Sequence, residues 1–228
     1  MGSPSGGPFF YSFLLRIIII MPYPTTGSKT ELQAINQILA SVGQAPVTTL
    51  ERTNPDVAIS YDTLLQVSRE VQSEGWTFNR EYSYPFTPNG EGEIPYPNNV
   101  LQLDASNDPA YYKGRKYDTV RRDGKLYDRR HHTYKFEGVL LCDVKWYFDW
   151  DDLPIPIQDY ITAKAATMVS NRLVGDTKQY ETLLQQEAFT RAMALEYETQ
   201  QGDYSYFGGT RHEDTYNPYI PLKALQRY

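Results

Sequence analysis

Apolar residues recur at three- and four-residue steps in four stretches of this chain, and between the second and third stretches the period falls to two. The most regular region runs from about Ile155 to Tyr197. There Ile157, Ile161, Ala165, Met168, Val169 and Leu173 share one helix face. Pro154 and Pro156 stand at its start, where a missing backbone N–H costs little. Gly175 suits the left-handed position that ends a helix, and Asp176 with Gln179 three residues later reads as the capping box of the next one. That helix sets Tyr180, Leu183, Leu184, Ala188, Arg191, Ala192 and Leu195 on one stripe. The pattern predicts a helical hairpin turning at Gly175-Asp176.

Two earlier helices follow the same logic. Ser28-Lys29-Thr30-Glu31 reads as a capping box, opening a helix that carries Leu32, Ile35, Ile38, Leu39 and Val42 before Gly43 stops it. Asn54 caps the next, with Pro55 in its first turn, and that helix is expected to run to about Glu74. Its buried set is Val57, Tyr61, Leu64, Leu65, Val67 and Val71, and Gly75 closes it.

From Trp76 to Trp150 the signals belong to strands and turns. Trp76-Thr77-Phe78-Asn79 alternates, after which Pro85, Pro88, Gly90, Gly92, Pro95 and Pro97 break regular structure. Val100–Leu103 reads as a short strand. Asp123-Gly124 between Tyr117–Arg122 and Lys125–Phe136 is a two-residue hairpin signal, and Glu137-Gly138 makes the next turn. In the strand that follows, Leu140, Cys142, Val144, Trp146 and Phe148 share one face. The expected fold is therefore α+β: a four-helix bundle with an inserted small antiparallel β unit and an extended C-terminal tail. Its divisions are 1–28 as a leader, 29–75 with 154–201 as the bundle, 76–153 as the β insertion, and 202–228 as a partner-binding tail.

Composition narrows the class. With 228 residues, 40% hydrophobic and 22% charged, the chain can bury a sizeable core. A net charge of −6 argues against a general nucleic-acid binder. Cys142 is the one cysteine, which excludes an intrachain disulfide and a cysteine-rich zinc cage. Twenty tyrosines suit either a protein-binding surface or an aromatic-rich β region. At the N-terminus, the apolar run Phe9–Ile20 is interrupted by Arg16 and falls short of the roughly twenty residues of a membrane span. No Lys or Arg precedes Phe9, as a secretory signal requires. Met21 is the expected natural start, with 1–20 an upstream extension. The tail, with Tyr204, Tyr206, Phe207 and Tyr216, is too aromatic for an ordinary disordered end; it either orders on a partner or folds back on its own domain.

Three clusters invite a chemical reading. Residues 113–135 hold nine basic groups against three aspartates, a local excess of six that leaves −12 on the rest of the chain. Arg121, Arg122, Arg129 and Arg130 are its centre, interleaved with tyrosines. Such a hairpin suits phosphate or an acidic protein surface, so a nucleic-acid-binding module is one alternative function. No nucleic-acid-binding motif accompanies it. Asp149, Asp151 and Asp152 form the one tight carboxylate group; glycan hydrolysis needs such a pair, while capping of the following helix explains them more simply. His131 and His132, on a strand, would point to opposite faces and share no metal. No phosphate-binding loop, Gly-x-Ser-x-Gly or Cys–His pattern is present, and neither a catalytic residue nor a cofactor or metal site is assigned.

Several landmarks carry a family resemblance. The opening Glu31–Val47 (ELQAINQILASVGQAPV), Gly75-Trp76-Thr77-Phe78-Asn79, Asp123-Gly124-Lys125-Leu126-Tyr127-Asp128 and Asp151-Asp152-Leu153-Pro154 resemble, in this order, the tail tubular protein A family of short-tailed bacteriophages. The likeness covers about residues 29–207. It implies a structural virion protein of the podovirus tail rather than an enzyme, made in the host cytoplasm and sited at the head-tail junction. The family forms a homo-oligomeric, twelve-membered adaptor ring between the portal protein and a tail nozzle protein of the tail tubular protein B type. Genomic DNA passes through its channel during ejection without sequence-specific binding, and no membrane is involved. On this basis Tyr204, Tyr206, Phe207 and Tyr216 are expected to dock on the portal or a neighbouring subunit. The basic hairpin is expected to meet the nozzle or an adjacent protomer.

Overall fold

A computed structural model describes residues 29–106 and 117–202. The expected leader, the basic residues Lys113, Arg115 and Lys116, and the tail aromatics Tyr204, Tyr206, Phe207 and Tyr216 lie outside the described residues. Within them the fold is mixed: four helices and two small antiparallel sheets. The helices are α1 (Glu31–Ser41), α2 (Pro55–Ser73), α3 (Ile155–Leu173) and α4 (Thr177–Gln201). The strands are β1 (Arg80–Phe86), β2 (Val100–Ala105), β3 (Thr119–Arg122), β4 (Lys125–Asp128) and β5 (Leu140–Trp146).

The α1, α2 and α3 helices converge on one core. Ile35, Ile38 and Leu39 meet Leu64, Val67 and Val71 of α2, with Ile157, Ile161, Ala165 and Val169 of α3, all of them buried. The α3 helix lies innermost, burying small and polar residues such as Ala163, Thr162 and Ser170 as well as its apolar face. Three of the four N-termini are closed locally by side chains. Asn54 caps α2 by accepting from the Asp56 N–H at 3.0 Å, with Pro55 beside it, as expected. The α1 cap differs: Thr30, not Ser28, accepts from the Gln33 N–H, and the Gln33 amide accepts from Thr30 in return. Two boxes overlap in this sequence, and the later one forms because helical geometry begins at Glu31.

Other expectations at the junctions also change. Asp176 caps α4 through the Lys178 N–H, but Gln179 does not reach back; its side chain instead donates to the Ser41 carbonyl and ties α4 to the end of α1. No aspartate caps α3. Pro154 holds the cap position, while Trp150–Asp152 forms a separate turn of 3-10 helix upstream. Thr77–Asn79 is a second such turn rather than strand. The alternation there reflects Trp76 and Asn79 turning inward around a helix end.

The three-stranded sheet runs β1-β5-β2, fully antiparallel, with β5 in the centre. Leu140, Cys142 and Val144 of β5 face a second core with Phe86, Ile94, Leu103, Leu126 and Phe136, so the alternation in β5 holds. Phe148, past the end of the strand, packs on the helical core instead. Pro85, read as a breaker, sits inside β1, which it can do because β1 is an edge strand with one neighbour. The β3-β4 hairpin turns at Asp123-Gly124 with φ of 52° and 72°, the left-handed pair a two-residue turn needs. Its second strand stops at Asp128 rather than running to Phe136; residues 129–132, including both histidines, form a turn.

Buried amides join sheet to helices. Gln72 of α2 accepts from the Phe148 N–H at 2.8 Å and donates to the Phe148 carbonyl at 3.1 Å and to Ser68 Oγ at 3.0 Å. Asn79 accepts from the Trp76 N–H at 2.8 Å and donates to the carbonyls of Gln72 and Trp146 at 2.8 and 2.9 Å. Gln158 donates to the Trp150 carbonyl at 2.8 Å, and Trp150 Nε1 donates to the Lys29 carbonyl at 2.6 Å. Gly75 (φ 81°) leaves room for the side chains of Lys145 and Arg80, which donate to the carbonyls of Ser73 and Gly75; a Cβ there would lie 2.5 Å from Lys145 Cε.

Replacing Gln72 by Ala strands both Phe148 backbone groups and leaves a cavity. It should lower unfolding free energy by roughly 2–4 kcal/mol. Gln66→Ala on the exposed side of α2 should change it by less than about 0.5 kcal/mol. Urea unfolding followed by circular dichroism checks both, and equal effects would refute the role given to Gln72.

Candidate functional site

Two exposed surfaces stand out, one apolar and one basic. The apolar surface is the outer side of α4. Asp176 and Gln179 fix its start. Further along, Arg191 donates to the Tyr160 hydroxyl at 2.6 Å, and the Glu198 carboxylate accepts from the Thr77 N–H and hydroxyl, each at 2.9 Å. These polar ties hold α4 to the end of α1, to α3 and to the Thr77 turn, yet Ala194 is its one fully buried residue. The sequence stripe mispredicts the buried side: Leu183 is half-buried, but Leu184, Ala188, Ala192 and Leu195 face outward. The small Ala194 allows close approach to α3, and polar Glu187, Thr190 and Glu198 share its inner side. Outside, Phe189 is 68% exposed, Met193 and Leu195 46% each, and Leu184 40%. The signal missed in the sequence was that Phe189 and Met193 fall outside any single stripe: the middle of α4 is apolar nearly all the way round, as in a helix covered on every side.

The basic surface is the β3-β4 hairpin. Arg121 stacks over the Tyr96 ring at 5.0 Å and Arg122 over Tyr127 at 4.1 Å, arrangements that hold the guanidinium groups while leaving their outer edges open to water. Tyr127 packs edge-on against Tyr134 at 4.8 Å, and Tyr134 donates to Asp123 at 2.8 Å. Arg129 pairs with Asp118 at 2.7 Å, Lys125 pairs with Glu93, and Arg130 is exposed in the turn. The four arginines named from the sequence thus divide between the two ends of the hairpin, Arg121 and Arg122 beside its turn and Arg129 and Arg130 at the far end, with Arg129 partly neutralised.

Asp128 locks the far end of this hairpin. Its wholly buried carboxylate accepts from the N–H of Asp118 at 3.1 Å and of Arg130 at 2.9 Å, and is bonded to His131 Nδ1. Burial pushes its carboxyl upward, but these hydrogen bonds prevail and hold it below the usual carboxylate range. His131 is therefore a structural partner of a carboxylate. No group of three or more His, Cys, Asp or Glu able to hold a metal occurs among the described residues.

Asp149 and Asp151 line an open cleft of about 390 Å³ with Thr30, Glu31, Leu32 and Trp150. Asp149, Asp151 and Asp152 are all exposed. Burial, then the negative charges of Asp151 and Asp149, raise the Glu31 carboxyl above its usual range. The Cys142 thiol is buried in the sheet and pushed up to about 12 by burial and by the charges of Asp143 and Asp104, so it is no nucleophile at neutral pH. Among the described residues no helix is long and apolar enough to cross a membrane.

Residues 32–204 match the family described as tail tubular protein. The chain is also similar to a protein of Klebsiella phage KP34 named tail tubular protein A, with 29% identity over 170 residues, covering 72% of this chain and 84% of that one. The match spans the helices, both sheets and the hairpin. It lends no support to the glycan hydrolase or nucleic-acid-binding readings.

Because the native carboxyl of Asp128 titrates below its unfolded value, its contribution to the hairpin is complete above the unfolded pKa of about 4 and is lost as pH falls through the lower native value. Amide exchange should show Asp118 and Arg130 losing protection in that acid window. Asp128→Asn should remove the acid dependence and weaken the hairpin by about 1–2 kcal/mol at neutral pH. Unchanged protection in the variant would refute the lock.

Proposed function

The chain belongs to the tail tubular protein family, and from that premise we propose that it is the adaptor protomer joining portal to tail nozzle. It is a structural component of a phage tail. In the proposed assembly, twelve copies form a ring below the portal, the nozzle attaches beneath, and the genome passes through the central channel. The helices form the body of each protomer and the β insertion the projecting unit, with the C-terminal tail extended to a partner.

The observation that supports this reading most is the outer side of α4. Leu184, Phe189, Met193 and Leu195 expose apolar surface on a helix that the other described residues cover on one side alone. Exposed apolar surface of this kind marks a partner site, and a ring protomer needs such a flank for each neighbour. We assign this surface to the contact between copies. An acidic chain is also suited to a channel through which DNA must slide without sticking, with −6 overall. The tail residues Tyr204, Tyr206, Phe207 and Tyr216 are assigned to docking on the portal or the neighbouring copy.

The test is the mass of the protein in solution, first alone and then with portal rings. A twelve-fold species in either condition supports the adaptor reading, and a monomer that ignores portals overturns it. Phe189→Asp combined with Met193→Asp should shift assembly to at least about tenfold higher concentration, since two buried apolar anchors are lost, while circular dichroism stays unchanged. Removal of 203–228 should separately block assembly on portals; if assembly survives, the role given to the tail is wrong.

A further inference from the structure

The basic hairpin has a fitting partner elsewhere on the same chain. Six of its basic groups lie among the described residues, against Asp118, Asp123 and Asp128. Tyrosines pre-position two of them: Arg121 on Tyr96 of the β1–β2 connection and Arg122 on Tyr127 of the hairpin itself. An arginine held on an aromatic face has lost part of its side-chain freedom already, so it binds a carboxylate at a lower entropic cost than a free lysine. Where β5 passes into α3, Glu31, Asp149 and Asp151 line a concave cleft of about 390 Å³, large enough to admit a guanidinium group with its stem.

Among the described residues no ion pair joins Arg121, Arg122, Arg129 or Arg130 to Glu31, Asp149, Asp151 or Asp152. Within one copy, then, the two surfaces do not satisfy each other. We propose that the hairpin of one copy docks, through Arg122 beside its turn, into the Glu31–Asp149–Asp151 cleft of the next copy, with Arg121 on the opposite face of the strand adding to the positive charge around it. This rests on the reading of the chain as a ring protomer, and it names the polar half of the contact whose apolar half is the outer side of α4. Contact between two different patches is heterologous, the kind that closes into a ring when the rotation allows. The Glu31 carboxyl, raised by burial first and then by the charges of Asp151 and Asp149, fits the same picture, since an incoming cation offsets those charges.

Charge exchange tests the pairing. One variant carries Arg121→Glu and Arg122→Glu; a second carries Asp149→Lys and Asp151→Lys, all at exposed positions where folding is retained and checked by circular dichroism. Each alone should assemble at least about tenfold more weakly than the unaltered chain, because like charges then face each other. An equimolar mixture should recover assembly, since each hairpin again meets an opposite charge when the two variants alternate round a ring. Rising salt should weaken the unaltered assembly. Single variants that assemble normally, a mixture that fails to recover, or indifference to salt would each overturn the pairing while leaving the ring standing. A hairpin that serves DNA instead would lose DNA binding in the first variant, with the second assembling normally. Failure of the unaltered chain to assemble, alone or on portals, would remove the adaptor reading and the pairing with it.

Discussion

Three buried amides decide how this molecule is put together. Gln72, Asn79 and Gln158 sit where α2 ends, where β1 begins and where β5 gives way to α3, and each accepts from an irregular backbone N–H at a crossing, those of Phe148, Trp76 and Lys29. A chain that leaves a helical core, builds a sheet and returns must bury irregular backbone at both crossings. Unpaired, each such N–H or carbonyl costs roughly 1–3 kcal/mol. Amides suit the task because one side chain both donates and accepts. Gln72 closes a two-bond ring with Phe148, and Asn79 bridges the end of α2 to the end of β5. Trp76 and Trp150 fill the space around them and spend their indole N–H groups on carbonyls of Val71 and Lys29. The direction in which the β unit projects, and with it the placement of the basic hairpin relative to the helices, follows from this seam.

That seam was the part least legible in the sequence. The helices announce themselves through period and caps, and Asp123-Gly124 specifies its turn by backbone conformation alone, so both are local facts that a short window contains. Gln72 and Asn79 look like ordinary polar positions, because what makes them essential is a partner 76 or 67 residues away. The same distinction explains the smaller misses. Two overlapping capping boxes, at Ser28 and Thr30, cannot be ranked without knowing where the Lys29 backbone is held, and it is held by Gln158 and Trp150. Pro85 is tolerated because β1 is an edge strand, a fact about sheet order that no window around Pro85 records.

The surfaces divide in the same way. The hairpin arginines were readable as a cluster, since composition survives without a fold. That Arg121 and Arg122 rest on tyrosine faces while Arg129 is spoken for by Asp118 required the structure. For α4 the inference from pattern ran backwards. A helix that packs by an alanine and a few charge-assisted hydrogen bonds has a polar inner side, so the larger apolar residues were free to serve the outer one. In an ordinary monomer that arrangement wastes burial; in a protomer it reserves apolar area for a neighbour.

In the proposed ring, the apolar surface of α4 and the charged pair have separate consequences. Burial of Phe189, Met193 and Leu195 supplies affinity but little direction, because hydrophobic contact is indifferent to sliding along a helix. An assembly that must close after a fixed number of subunits cannot tolerate sliding: a small error in the angle at each contact accumulates round the ring. Point-like contacts between fixed charges constrain that angle, since an arginine held against a tyrosine ring meets a carboxylate in few geometries. An interface built from the α4 surface alone should therefore associate without closing uniformly, and one built from the hairpin alone should be too weak in physiological salt to persist. Keeping the two devices on different elements, a helix for affinity and a rigid hairpin for angle, lets each be set without disturbing the other.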